Sequence, residues 1–136
     1  MNERGDKGIQ GDVMKELFKN FDFNEAPAEM ITIVCGMELP EDYLEFMSEH
    51  NGGEGPIGEI GYGCFFRLEE LEEANTEYDV QKSWPGYVVI GSDMGGMLWA
   101  YCLETETYCQ IDSCSISDDA FFDVSGSLEE FVRKLG

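Results

Sequence analysis

Apolar residues between Tyr87 and Leu103 fall in two runs, Tyr87 to Gly91 and Met97 to Leu103, parted by Ser92, Asp93, Gly95 and Gly96. Trp99, Tyr101 and Leu103 sit at alternate positions, the period of a strand, and the run is too short for an ordinary surface helix. Gly95 and Gly96 supply the positive φ that a tight reversal needs, so a hairpin is predicted around Asp93 to Gly96. Glu104 to Thr107 predicts a second turn, followed by a third strand from Tyr108 to Asp112 or Cys114. A turn centred there sets Cys102 opposite Cys109 and Leu103 opposite Tyr108. Cys109 and Ile111 alternate with Gln110 and Asp112, so they are expected to face the core together with Leu98, Ala100 and Cys102. Trp99, Tyr101, Leu103 and Tyr108 then share the other face. Either a loop or the N-terminal segment covers that aromatic row, or the row is a contact surface, since large apolar patches on monomers mark contact sites.

The remaining chain supplies helices. One is predicted from an Asp12 N-cap to about Phe21, with Val13, Met14, Leu17, Phe18 and Phe21 on one face. Ala28 to Cys35 reads two ways. Met30 to Val34 is β-branched as a strand would be, whereas Pro27 before it and Gly36 after it bracket a short helix, and helix is the assignment taken. Leu39-Pro40-Glu41-Asp42 opens the next helix, with acids at the positive end of its dipole. Tyr43, Leu44, Phe46 and Met47 form its buried stripe, and Asn51-Gly52-Gly53 ends it. Gly52 to Gly63, with six glycines, predicts loop or short strand, and Cys64 to Arg67 a strand. Leu68 to Asn75 reads as a short helix with Leu68, Leu71 and Ala74 inward and Glu69, Glu70, Glu72 and Glu73 outward. Gln81 to Gly86 is expected to be a linker. Ser127 with Glu130 fits a capping box, and Leu128, Phe131, Val132 and Leu135 recur at helical spacing, so the chain ends in a helix packed on the sheet. Arg133 and Lys134 fall in its last turn, as the dipole prefers.

A chain of 136 residues with 43% hydrophobic residues can bury its own core as one domain, here predicted over 12–136 after a mobile polar segment over 1–11. The net charge of −21 changes the picture most. Such a surface repels phosphate backbones and anionic headgroups, which argues against nucleic acid and membrane as partners. It favours a cationic partner and salt-sensitive association, although solubility or tolerance of high salt would also account for it. Five cysteines (Cys35, Cys64, Cys102, Cys109, Cys114) form no C-x-x-C pair, and their odd number does not suit a disulfide framework. Met1 to Gly11 holds no apolar core of the kind a signal peptide has, and a cytoplasmic location with reduced thiols is expected.

No catalytic constellation emerges, and the chain is expected not to be an enzyme. A Cys–His nucleophile would have to use His50, the single histidine, which ends a helix before a glycine turn and is expected at the surface. One histidine also disfavours zinc. Gly91, Gly95 and Gly96 match no phosphate-binding motif. Asp118-Asp119 and the run Glu69 to Glu73 lack EF-hand spacing, so no metal or cofactor is expected. Cys102 and Cys109 could bridge on oxidation but are better read as small buried apolar residues.

Several stretches, taken in order, resemble the SUKH superfamily, the Smi/Knr-type domain. They are Leu39-Pro40-Glu41-Asp42-Tyr43-Leu44-Glu45-Phe46 leading into Asn51-Gly52-Gly53, then Phe66-Arg67-Leu68-Glu69-Glu70-Leu71, then Ile90-Gly91-Ser92-Asp93 with Gly95-Gly96 and Leu98-Trp99-Ala100-Tyr101, and finally Ser127-Leu128-Glu129-Glu130-Phe131. Met97 stands where members often carry Asp after the glycine pair. The resemblance implies an α+β fold, an antiparallel sheet with helices packed mainly on one face. It also implies a protein-binding role. Many bacterial members look like immunity proteins that block a cognate polymorphic toxin, often a nuclease or deaminase, while eukaryotic members resemble regulatory adaptors. The expectation is an immunity protein masking a basic toxin, with an adaptor or scaffold domain for a cellular protein as the alternative. Trp99, Tyr101 and Tyr108 are the expected anchors, and Glu104, Glu106, Glu69, Glu70, Glu72 and Glu73 the charged rim.

Overall fold

A central three-strand meander forms where the apolar alternation predicts it. The computed structural model describes residues 14–114 and 120–136. In chain order these carry α1 (residues 14–17), β1 (Asp22–Phe23), β2 (Ile33–Val34), β3 (Met37–Glu38), α2 (Glu41–Glu49), β4 (Gly53–Ile57) and β5 (Gly61–Phe65). The second half carries α3 (Leu68–Glu77), α4 (Val80–Ser83), β6 (Tyr87–Ser92), β7 (Met97–Cys102), β8 (Thr107–Asp112), β9 (Phe121–Ser125) and α5 (Leu128–Leu135). Seven strands make one antiparallel sheet in the order β1-β4-β5-β6-β7-β8-β9, and β2 with β3 forms a separate ribbon. The chain is therefore α+β, as the resemblance implies.

The β6–β7 turn is held by its own polar residues. Asp93 Oδ1 accepts the N–H groups of Gly95 (2.7 Å) and Met97 (3.0 Å), and Ser92 Oγ accepts that of Met94 (2.8 Å). In the next hairpin the reversal occupies residues 103–106, one position earlier than expected, with Glu106 at φ +56°. Cys102 therefore pairs with Thr107, Tyr101 with Tyr108 and Ala100 with Cys109, rather than Cys102 with Cys109. The slide moves both strands together, so the residues sharing each face are those expected.

Which face carries the main core is the reverse of the expectation. Trp99, Tyr101 and Tyr108 join Phe65, Val88 and Ile90 in the larger cluster, under Tyr43 and Met47 of α2 and Leu128, Phe131 and Val132 of α5. Leu98, Ala100, Cys109 and Ile111 form a smaller cluster on the opposite face with Val80, Val89 and Ala120. The rings need depth, and the chain provides it. An added Cβ at Gly63 would lie 2.4 Å from Trp99, and one at Gly91 2.8 Å from it, so the indole lies over two bare backbone positions. Phe131 meets Trp99 edge-on at 6.4 Å and stacks on Tyr108 at 6.0 Å.

Three further expectations are corrected. Residues 28–35 are not helical: Cys35 (φ +51°) and Gly36 (φ +79°) are the two central residues of the β2–β3 turn, a reversal with positive φ at both. The first helix stops at residue 17, and three turn residues lead to β1, where Asp22 and Phe23 pair with Glu54 and Gly53. Gln81 to Ser83 belongs to α4, anchored by the buried Val80, and is not linker. Residues 1–11, the Asp12 cap and Asp118-Asp119 lie outside the described residues.

Beside β6 the sheet has a gap that α3 fills. β5 pairs with β6 only at Gly91 and Ser92. Further along, the buried Asn75 of α3 bonds Val89 twice, accepting its N–H at 2.8 Å and donating to its carbonyl at 2.9 Å. One side-chain amide thus replaces a strand residue and keeps the backbone of β6 satisfied.

Candidate functional site

The residues expected to form a binding surface divide sharply. Trp99 and Tyr108 are 1% exposed and Tyr101 8%, so the three expected anchors are core residues with little surface to offer a partner. Burial explains this: the helices that the sequence leaves unassigned to a face cover the aromatic side. Burial, with the hydrogen bond to Asp42, also raises the Tyr108 hydroxyl well above the ordinary tyrosine range.

The expected acidic rim is exposed, but most of its α3 part is occupied. Glu69 Oε1 accepts from Asn51 Nδ2 (2.7 Å), Glu70 Oε1 from the Arg67 backbone (3.0 Å) and Glu72 Oε1 from the Cys35 backbone (3.0 Å). The Asn51 bond, with a weaker one to its own backbone, holds the Glu69 carboxyl below its usual value. These carboxylates fasten α3 to its surroundings. Asn51 is the hub. Its Oδ1 accepts the Leu68 N–H (2.8 Å), capping α3, while its carbonyl accepts from Asn24 Nδ2 (2.9 Å). Gly52 and Gly53 follow because an added Cβ would strike the Phe65 carbonyl oxygen at 2.3 Å and that of Asp22 at 2.5 Å. Glu73, Glu104 and Glu106 make no side-chain hydrogen bond or ion pair among the described residues and face solvent.

A different acidic surface lies on α2. Glu41, Glu45 and Glu49 recur every four residues on one exposed row with no basic residue in the last turn. Asp42 is the exception, since it ties three elements together. Its Oδ1 accepts from Tyr108 Oη (2.5 Å) and the Tyr43 N–H (2.8 Å), and its Oδ2 from the Leu128 N–H (2.8 Å) at the start of α5. The carboxylate so placed is the acid of the Leu39 to Tyr43 motif, and its work is structural.

Between α1, α2 and the start of α5 runs an open groove of about 840 Å³. Its floor is aromatic: Phe18 stacks on Phe46 at 5.6 Å, and the His50 ring lies flat on Phe23 at 4.1 Å. Phe23, Phe46 and His50 are half-buried and so reachable from solvent. Asp42, Glu45, Glu49 and Glu129 line one side, and Lys15 and Lys19 the other. Lys19 is paired with Glu16 at 3.3 Å. Glu129 Oε2 meets Arg133 at 3.1 Å, while its Oε1 is buried without a hydrogen-bond partner. Sequence reasoning missed this groove. The crowding of Phe18, Phe21 and Phe23 beyond what one short helix needs, and the four-residue spacing of Glu41, Glu45 and Glu49, were the available signals.

The model of the SMI1/KNR4 family (SUKH-1) matches residues 24–134. The chain belongs to that family. The match spans every element from β2 to β9 and all of α5 but its last residue, so the SUKH assignment covers every motif that suggested it. A search of the curated proteins found no match.

Among the described residues no group of three or more His, Cys, Asp or Glu side chains converges as metal ligands would. Cys102 and Cys109 are free thiols, diagonal rather than opposite across β7 and β8. Burial pushes the Cys109 thiol up to about 12. At Cys102 burial acts in the same direction, but hydrogen bonds from Thr105, the Glu104 backbone and Tyr87 outweigh it and the thiol is lowered. No helix among the described residues is long and apolar enough to cross a membrane.

Proposed function

We propose that this SUKH protein is an immunity-type binding protein that acts in the cytoplasm. It holds a basic, nucleic-acid-targeting toxin and masks its active site, and it carries out no reaction of its own. The observation that carries this reading is the Glu41–Glu45–Glu49 row. Like charges four residues apart weaken a helix by a few tenths of a kcal/mol per pair. Among the described residues no cation lies in an ion pair with them, and beyond the favourable place of Glu41 in the first turn the row has no partner within the fold. Outside the fold it creates a field that draws a cationic surface at a fast, salt-sensitive rate. A toxin that grips phosphates presents such a surface, because phosphate contacts are made by Lys and Arg. The net charge of −21 acts in the same sense at longer range.

Affinity capture from the native host, with mass spectrometry of the captured proteins at low and at physiological salt, tests the reading. A basic protein with a nuclease or deaminase domain should be recovered, less of it as salt rises, and little by the Glu45→Lys/Glu49→Lys variant. Recovery of a neutral or acidic regulatory protein, or capture indifferent to salt, overturns it in favour of the adaptor role.

A further inference from the structure

We infer that the groove between α1 and α2 receives an arginine side chain from an extended basic segment of the partner, with the guanidinium over the aromatic floor and paired to Glu45 or Glu49. The inference deepens the toxin-binding reading and rests on it only for where the segment comes from. The groove has three features that select this group. Its floor offers the half-buried rings of Phe23, Phe46 and His50, and a planar, weakly hydrated guanidinium stacks on such rings more readily than an ammonium does. Its α2 wall offers Glu45 and Glu49, one helical turn apart, whose carboxylates can each take a forked pair of N–H donors. At its α5 end the Glu129 carboxylate, paired with Arg133 through one oxygen, leaves its other oxygen without a hydrogen-bond partner and so adds to the negative potential of that end.

The groove is also polarised. Lys15 and Lys19 stand on the α1 wall, so a bound segment has its cation directed to α2 and its carbonyl or acidic groups to α1. At about 840 Å³ there is room for the neighbours of the arginine as well as for its side chain.

The probes are fluorescent nona-arginine and nona-lysine peptides, titrated against the full chain at physiological salt, with amide NMR shifts mapping the contact. Nona-arginine should bind roughly fivefold tighter than nona-lysine, with shifts concentrated in residues 14–23, 42–50 and 127–130. The Glu45→Gln/Glu49→Gln variant should weaken nona-arginine roughly tenfold. Glu73→Gln/Glu77→Gln removes the same charge from α3 and should leave affinity within about twofold. Thermal unfolding of both variants confirms that they remain folded. Equal affinity for the two peptides, equal loss in the two variants, or shifts elsewhere overturn the inference. So does absence of binding. If capture of a basic toxin stays salt-sensitive while the peptide test fails, only the arginine site falls. If nona-arginine binds the groove and no basic partner is captured, only the toxin reading falls.

Discussion

Helices α2 and α3 look alike in sequence, with four acids among nine residues in one and five among ten in the other. Their surroundings make them opposites. On α3, Glu69, Glu70 and Glu72 each accept a hydrogen bond that fixes the helix to Asn51, Arg67 or Cys35. The buried amides that hold it, Asn51 beside it and Asn75 on it, are hydrogen-bonded through both their oxygen and their nitrogen. On α2, only Asp42 is so engaged. Both side-chain atoms that are buried without a partner among the described residues, Tyr43 Oη and Glu129 Oε1, belong to α2 or to α5 at the groove's end. A run of acids is thus uninformative until one knows what the carboxylates accept from. The α3 side is finished within the chain, and the α2 side is not.

The heaviest blow to this contrast would come at Asn51. Asn51→Ala removes the cap on Leu68 and the donor to Glu69 at a buried position, and should cost about 2–3 kcal/mol. Urea unfolding reads it as a lower midpoint at unchanged slope. A midpoint that does not move would mean that α3 is not held by its polar contacts, and the contrast would fail.

Next in size is a gain on the other side. Tyr43 is fully buried and its hydroxyl meets no partner; burial alone lifts it far above the ordinary tyrosine range. Tyr43→Phe removes an unsatisfied group without changing the packing, and should stabilise the domain by about 1 kcal/mol. A loss of stability in the same unfolding experiment would show that the hydroxyl is satisfied, and the α2 side would no longer be the unfinished one.

The same physics explains what the sequence could and could not show. Asn51-Gly52-Gly53 reads as a helix stop, and it is one, but nothing local says that Asn51 reaches 17 positions onward to Leu68. Period-two alternation sorts Trp99, Tyr101 and Tyr108 onto one face correctly. It cannot say which face takes the thicker layer when β6, β7 and β8 are buried on both, because both sets are then apolar. The β2–β3 turn was obscured for a related reason: a positive φ at Cys35 is unusual for a residue with a Cβ, so only Gly36 gave a signal. The groove is built from Phe18, Phe46 and Glu129, far apart in the chain, and a single sequence carries no mark of that convergence.

A smaller effect separates charge from hydrogen bonding on α3. The folded Glu69 carboxyl titrates below its unfolded value of 4.5, chiefly through the Asn51 bond. Its stabilising contribution is therefore complete above about pH 4.5 and fades as pH falls through the lower folded value. Exposure screens it to about 0.5 kcal/mol. The stability difference between the native protein and Glu69→Gln should be flat at neutral pH and shrink below pH 4.5. A difference that grows on acidification would refute the assignment.

The finest test returns to the α2 row. Glu45 faces Glu41 and Glu49 one turn away on each side, so Glu45→Lys turns two repulsions into two attractions. It also places a base where the helix has none. The expected gain is about 0.3 kcal/mol or slightly more, smaller at high salt. The same exchange at Glu72 should instead lose stability, because Glu72 accepts the Cys35 N–H across 37 positions of sequence. Opposite signs from one kind of substitution on two acidic helices would establish that α3 spends its charge on the fold and α2 keeps its charge for something outside it. Equal signs would erase the distinction, and with it the reason for assigning the binding surface to α2.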